Sequence, residues 1–311
     1  MKPLLITTSD LHLSPKPPIC RKEHIDWWEY QLNNIKFIKE QQDKYKVPLF
    51  IAGDLFNDWY FDKVQDKTKW NELILLLKSF NYPIKTIPGQ HDLQNNIINT
   101  VNSTAYKSLD LVLNCDISNN SYETETYIID GFSFGTDLSK IKCESTDKLK
   151  IIMIHTPVWY NKEPYPGASE NGNIKNLYNK LSAYDVVISG DFHKGFVCTY
   201  KNTLFINNGS LMRIKADQIN YKPFITLLYD DLSYKQIYMP IENDLITKEH
   251  IDIASFKENR LKCFTNYINT KIKYKDNNSD LFNNILTEFI NNIKIHNETR
   301  NLLQEVKDVI N

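Results

Sequence analysis

The sequence predicts an α/β layered domain followed by a helical C-terminal region. Two observations carry this expectation. Short apolar runs alternate with helical stripes through the first 195 residues, as strands and helices packed in layers do. Beyond that point strand-like runs follow one another, and from Asn243 onward the character turns helical.

Leu4–Thr8, Leu49–Ala52, Ile84–Ile87, Ile151–Ile154 and Val186–Ser189 are short apolar runs that read as buried strands. Ile25, Trp28, Leu32, Ile35 and Ile38 fall on one helical face, and Trp70, Leu73, Ile74, Leu77 and Phe80 on another. Ser14–His24 holds three prolines and Lys162–Asn173 is rich in Pro, Gly and Asn, so both are loops. Phe196–Tyr200, Thr203–Asn207, Phe224–Tyr229 and Tyr234–Met239 read as consecutive strands of an antiparallel sheet. Leu281, Phe282, Ile285, Leu286, Phe289, Ile290 and Ile293 form an apolar stripe with Ser279 as its N-cap. A second stripe follows at Leu302, Leu303, Val306, Val309 and Ile310. The expected boundary lies near residues 240–248, giving a domain over 1–240 and a helical region over 241–311.

Composition narrows the classes. The 311 residues carry 37 Lys and Arg against 38 Asp and Glu, a formal net charge of −1. That balance is ordinary for a globular chain, and any basic groove must be local. No apolar run approaches the roughly 18–20 residues of a membrane helix. The five cysteines, at 20, 115, 143, 198 and 263, show no CxxC spacing. They read as reduced thiols rather than a disulfide framework or structural zinc site. The first residues lead into a strand without a signal-peptide pattern, so the expected location is the cytoplasm.

Five polar clusters follow predicted strands: Ser9-Asp10-Leu11-His12, Gly53-Asp54-Leu55-Phe56-Asn57, Gly89-Gln90-His91-Asp92, His155, and Gly190-Asp191-Phe192-His193. Ligand sites of α/β sheets lie at such strand ends. Hard divalent cations that polarise phosphate oxygens take carboxylate, amide and imidazole ligands. Two such cations need a shared carboxylate and ligands from several strands. Asp10, Asp54 and Asp191 offer carboxylates, Gln90 an amide, and His12, His155 and His193 imidazoles.

This ordered set resembles the calcineurin-like metallophosphoesterase superfamily, with its DxH, GDxxx, GNHD, H and GHxH pattern. Within it the chain resembles the SbcD-like DNA exonuclease branch, including phage-encoded members. Asn208-Gly209-Ser210-Leu211-Met212-Arg213 is similar to the segment after the last motif of that branch. The resemblance spans roughly residues 1–230.

It implies a four-layer α/β/β/α sandwich and two divalent metal ions, Mn²⁺ or Mg²⁺. It assigns Asp10, His12 and His193 to the first metal, Asp54 to the bridge, and Gln90, His155 and Asp191 to the second. His91 would be the general acid or transition-state stabiliser. The implied function is phosphodiester hydrolysis by a DNA nuclease in repair, recombination or replication. A small-molecule phosphoesterase and a non-catalytic subunit with a degraded second metal site are the alternatives. Implied partners are DNA, an SbcC-like ATPase through the C-terminal helices, and a second copy as a homodimer, in the host cytoplasm if phage-encoded.

Three positions depart from the pattern. Gln90 stands for Asn, and Asp191 stands for His, which makes the second site harder and favours Mn²⁺ or Mg²⁺ over Zn²⁺. Asn57 stands where Asp or His orients the catalytic imidazole, with Asp58 or Asp92 as possible compensation. Arg213 reads equally as a phosphate contact or a structural ion pair. Trp59 and Tyr60 follow the Gly-Asp motif and are candidates for base stacking, whereas Trp28 reads as core. His24, His250 and His296 read as surface residues. Lys271, Lys273 and Lys275 read as a solvated face.

Overall fold

The computed structural model describes residues 1–21, 26–61, 67–143, 145–160, 169–241 and 245–249, with isolated positions between 251 and 287. The chain divides into a unit over Met1–Thr247 and a second over Lys248–Asn311. In the second unit the described positions from 249 to 266 are helical. His24, His250, His296, the Lys271–Lys275 cluster, Ser279 and the C-terminal stripes lie outside the described residues.

The first unit holds two sheets. One contains β1 (Pro3–Thr8), β2 (Leu49–Ile51), β3 (Ile84–Thr86), β10 (Phe224–Tyr229) and β11 (Tyr234–Tyr238), in the order β11-β10-β1-β2-β3. The other contains β4 (Ser121–Glu123), β5 (Tyr127–Phe132), β6 (Leu149–His155), β7 (Val186–Gly190), β8 (Phe196–Tyr200) and β9 (Thr203–Asn207), in the order β4-β5-β6-β7-β9-β8. The central pairs β1-β2, β2-β3, β5-β6, β6-β7 and β7-β9 are parallel.

Strand alternation sorts side chains into layers. Phe50, Ile151, Met153, Ile188 and Ile206 meet between the sheets. Their neighbours Leu49 and Ile51 pack instead with α1 (Trp27–Tyr45), α2 (Lys67–Lys78) and α3 (Ala105–Leu113), through Ile35, Ile38, Leu73, Leu77 and Leu109. On the far side Ile152, Ile154, Val187 and Phe205 pack against Ile174, Leu177 and Leu181 of α4 (Ile174–Leu181). The result is the four-layer α/β/β/α arrangement.

Local signals start and stop the helices. The Asp26 side chain caps α1 by accepting the Glu29 N–H, and Lys46 ends it in the left-handed region. Thr104 and Asn173 cap α3 and α4 in the same way.

One sequence expectation needs correcting. The four strands after residue 195 do not form one antiparallel sheet. They are two antiparallel hairpins in different sheets: β8-β9 extends from β7, and β10-β11 from β1. Hairpin pairing is local and legible, whereas the sheet a hairpin joins is set by a distant strand. Four elements were not anticipated: β4, β5, α3 and α4.

Candidate metal centre

The candidate ligands sit at the C-terminal ends of β1, β2, β6 and β7 and in the turn after β3. Four of them bend the chain sharply. Asp10, His12, Asp54 and Asp191 have φ of 51°, 47°, 49° and 76°. Side-chain-bearing residues rarely adopt that left-handed conformation, which costs of order 1–3 kcal/mol each.

The bends persist because the loops are laced together. Asp10 N donates to Gly53 O at 3.1 Å, His12 N to Asp54 O at 3.0 Å, and Leu13 N to Leu55 O at 2.9 Å. Leu211 N donates to Asp10 O at 3.2 Å, which brings the segment after β9 onto the same knot.

Side chains converge inside this knot. Three groups form: Asp10, His12 and His193; His12, Asp54 and His91; and Asp10, Asp54 and His155, the ligand atoms of each within 4.8 Å of one another. His12 Nε2 and His193 Nε2 lie 3.1 Å apart. Two imidazole lone pairs do not face each other that closely unless a proton or cation lies between them.

His155 Nδ1 lies 2.7 Å from Ala52 O, so its Nδ1–H donates there and Nε2 faces Asp54 Oδ2 at 3.4 Å. Across the β6-β7 ladder His155 pairs with Gly190, which sets Asp191 beside it. Asp191 N donates to Asp10 Oδ1 at 2.9 Å, and Gln90 Nε2 to Asp191 Oδ1 at 3.3 Å.

Burial and neighbouring charges shift the protonation of each group. Burial pushes the Asp10 carboxyl up to about 7, with His155 opposing and the Asp54 charge adding to the rise. Burial also raises Asp191. Burial would raise Asp54 too, but His155 and then His12 and His91 hold it well below the usual carboxylate range. Burial would depress His155, yet Asp54, Asp10 and Asp191 drive it up to about 10. Burial holds His12 well below its ordinary value, and burial with the Lys215 charge brings His193 down to about 4.

Asp10 Oδ2 is buried without a hydrogen-bond partner among the described residues, and Asp54 Oδ2 and His155 Nε2 make no hydrogen bond beyond their ion pair at 3.4 Å. Such orphaned polar atoms are costly unless something charged satisfies them. Carboxylates and imidazoles crowded around Asp54 therefore fit divalent cations, and the donors suffice for two.

The other expected residues divide. His91 N donates to Asp54 Oδ1 at 2.8 Å, and its ring Nδ1 lies 2.8 Å from the Asn57 main-chain oxygen. Orientation therefore comes from backbone, not from the Asn57 amide, which donates to Asp58 Oδ2 at 3.2 Å. Asp92 does not compensate either. It is fully buried and accepts three main-chain N–H bonds, from Phe56 and Gly89 at 2.9 Å and from Leu55 at 3.2 Å. It binds the Asp54 and His91 turns together.

Arg213 is buried and donates from Nη1 to Ile219 O at 2.6 Å, a structural bond. Lys215, two residues on and exposed, is instead the cation that acts on His193 and Asp191. No sequence motif marks it beyond its closeness to the last cluster. Trp59 and Tyr60 are half-buried and line a cleft beyond Asn57. Trp28 packs in the core, its Nε1 donating to Glu72 at 2.8 Å. None of the five cysteines, all among the described residues, is in a disulfide, and no helix among the described residues is long and apolar enough to cross a membrane.

No protein-family profile and no curated protein matches the chain. Solved structures do resemble it. A phosphodiesterase from an archaeon is 16% identical with a TM-score of 0.40, over 76% of this chain and 99% of that one. A dimetal phosphatase from Danio rerio is 10% identical with a TM-score of 0.47, over 76% and 98%. Vps29 from Entamoeba histolytica, complexed with zinc, is 10% identical with a TM-score of 0.38, over 78% and 95%. Likenesses this loose decide neither activity nor substrate.

Proposed function

We propose that the chain is a two-metal-dependent phosphodiesterase whose substrate is DNA. The observation that supports it most is the meeting of three ligand groups, Asp10 with His12 and His193, Asp54 with His12 and His91, and Asp54 with Asp10 and His155. In this reading Asp10, His12 and His193 hold one cation, Gln90, His155 and Asp191 the other, and Asp54 both. Asp191 and Gln90 make the second position rich in oxygen, which favours Mn²⁺. Bound there, the cations supply the positive charge that neutralises phosphate oxygens during displacement at phosphorus.

The chain's own groups supply the rest. The Asn57 carbonyl accepts from His91 Nδ1–H and leaves Nε2 to face the substrate. In its protonated form Nε2 donates to the leaving oxygen. Lys215 adds a positive charge beside Asp191 and His193. DNA as substrate rests on the resemblance of the motifs to the SbcD-like pattern, as do a second copy and an SbcC-like ATPase as partners.

The test is purified protein with Mn²⁺ on linear duplex DNA, single-stranded DNA and bis-p-nitrophenyl phosphate, with metal content by elemental analysis. DNA degradation with two metals per chain is the expected result. Turnover of the chromogenic diester alone would make the substrate a small molecule. No turnover with one metal per chain would make the protein a non-catalytic subunit.

A further inference from the structure

The turn that holds His91 continues directly into an aromatic cleft. Asn57 supplies the carbonyl beside His91 Nδ1, and Trp59 and Tyr60 follow within four residues. Trp59 therefore lies within about 7 Å of Asn57 along the chain. Three features fix this turn. Trp59 O accepts the Ala105 N–H at 2.7 Å, tying it to the start of α3. Phe61 sits at φ 61°, an uncommon conformation for a bulky residue. Its buried ring is held by Trp70, Phe56 and Trp28, at centroid distances of 5.1, 5.6 and 5.7 Å.

The cleft holds about 440 Å³, within the range of small-molecule sites. Trp59, Tyr60 and Trp70 give it aromatic walls, and Asn102, Ser103 and Thr104 give it neutral polar groups. Among the described residues no carboxylate lines it. A second depression of about 270 Å³ shares Tyr60 and Phe61 with it and reaches His12 and Asn57 at the metal centre. Tyr60 and Phe61 thus border both the aromatic cleft and the depression that reaches the metal centre.

Resting on the phosphodiesterase reading, we propose that this cleft is a nucleobase subsite for the nucleotide whose phosphate lies at the metal centre. A flat base stacks on an aromatic ring whatever its sequence, and amide and hydroxyl groups hydrogen-bond its edge. A bare phosphate would find Lys67 as the one charged group among the described lining residues, and an aliphatic ligand would leave the polar groups unpaired.

The experiment compares two diesters with Mn²⁺: thymidine 5′-(p-nitrophenyl) phosphate, which carries a base, and bis-p-nitrophenyl phosphate, which does not. The wild-type chain should prefer the thymidine ester. Trp59→Ala and Tyr60→Ala should each lower that preference, by about tenfold for the loss of one stacked base. Trp59→Phe should keep most of it. A preference unchanged in both alanine variants overturns the subsite.

Calorimetric titration of the full chain with thymidine 5′-monophosphate reads the subsite without turnover, with the same weakening expected. Nucleotide binding through Trp59 without hydrolysis of either ester would sink the phosphodiesterase reading and leave the subsite standing. Hydrolysis of both esters without preference or nucleotide binding would do the reverse.

Discussion

His91 Nδ1 lies 2.8 Å from the main-chain oxygen of Asn57, so a backbone carbonyl orients this imidazole. The consequence is an asymmetry between two variants. His91→Ala should keep two metals per chain and lose about 10²–10⁴ in kcat, the usual worth of a positioned acid or base. Asn57→Ala keeps the carbonyl and should lose no more than about tenfold, the worth of the side-chain bond to Asp58. Steady-state rates with elemental analysis check both, and metal loss in His91→Ala would remove its assigned role.

Asp92 joins two site turns through the N–H groups of Leu55, Phe56 and Gly89. Asp92→Ala would leave three buried donors unpaired, each costing about 1–3 kcal/mol. The urea midpoint should fall by the equivalent of about 3 kcal/mol or more. Metal affinity should fall with it, because Asp54 and His91 lie in the turns that Asp92 joins. A variant of normal stability and metal content would show that the turns hold without it.

The five clusters were legible in the sequence because glycine, aspartate and histidine stand out after an apolar strand. Their spatial meeting was not, since it depends on left-handed bends at Asp10, His12, Asp54 and Asp191 that no residue type announces. β5 went unseen although Tyr127, Ile129 and Gly131 alternate cleanly into the core, because Asp130 and Gly131 interrupt the apolar run. α3 was missed because Leu111 and Val112 face outward and blur the stripe made by Tyr106 and Leu109. Arg213 could not be placed from its position alone, because whether its guanidinium bonds the Ile219 carbonyl, as it does, depends on how the following turn folds.

Asp191 presents a carboxylate beside Gln90, accepting from Gln90 Nε2 at 3.3 Å. Asp191→His should therefore raise affinity for Zn²⁺ relative to Mn²⁺, because imidazole suits the borderline ion better. Competitive calorimetry measures the ratio without any substrate. An unchanged ratio would remove Asp191 from the ligand set.

The apo protein should lose stability as pH rises from about 7 to 9. His155 is raised to about 10 from 6.5, so the folded state binds more protons than the unfolded state across that window. Its stabilising charge is complete below the unfolded value and is lost as pH climbs through the folded one. His12 and His193 are depressed and have already become neutral below this window, so they do not oppose the trend. Mn²⁺ competes with the proton on His155 and binds better as pH rises. Added Mn²⁺ should thus flatten or reverse the slope. Melting curves in EDTA and in Mn²⁺ test this, and identical slopes would separate His155 from the metal.

Gly89 leaves room for the Asp54 carboxylate. A Cβ at this position would run into Asp54 Oδ1 and the Asp54 main-chain nitrogen. Neither atom has freedom to retreat: Oδ1 accepts the His91 N–H, and the Asp54 turn is bonded to His12 and Leu13. Gly89→Ala should therefore displace Asp54 and lower metal content below two per chain. Gly135 offers the contrast, since nothing lies within 4 Å of a Cβ built there. Its φ of 81° makes Gly135→Ala a backbone penalty of order 1 kcal/mol without damage to the site. Elemental analysis and urea titration of the two variants separate a steric effect on Asp54 from general destabilisation. Equal metal content in both would show that Gly89 is not reserved for Asp54.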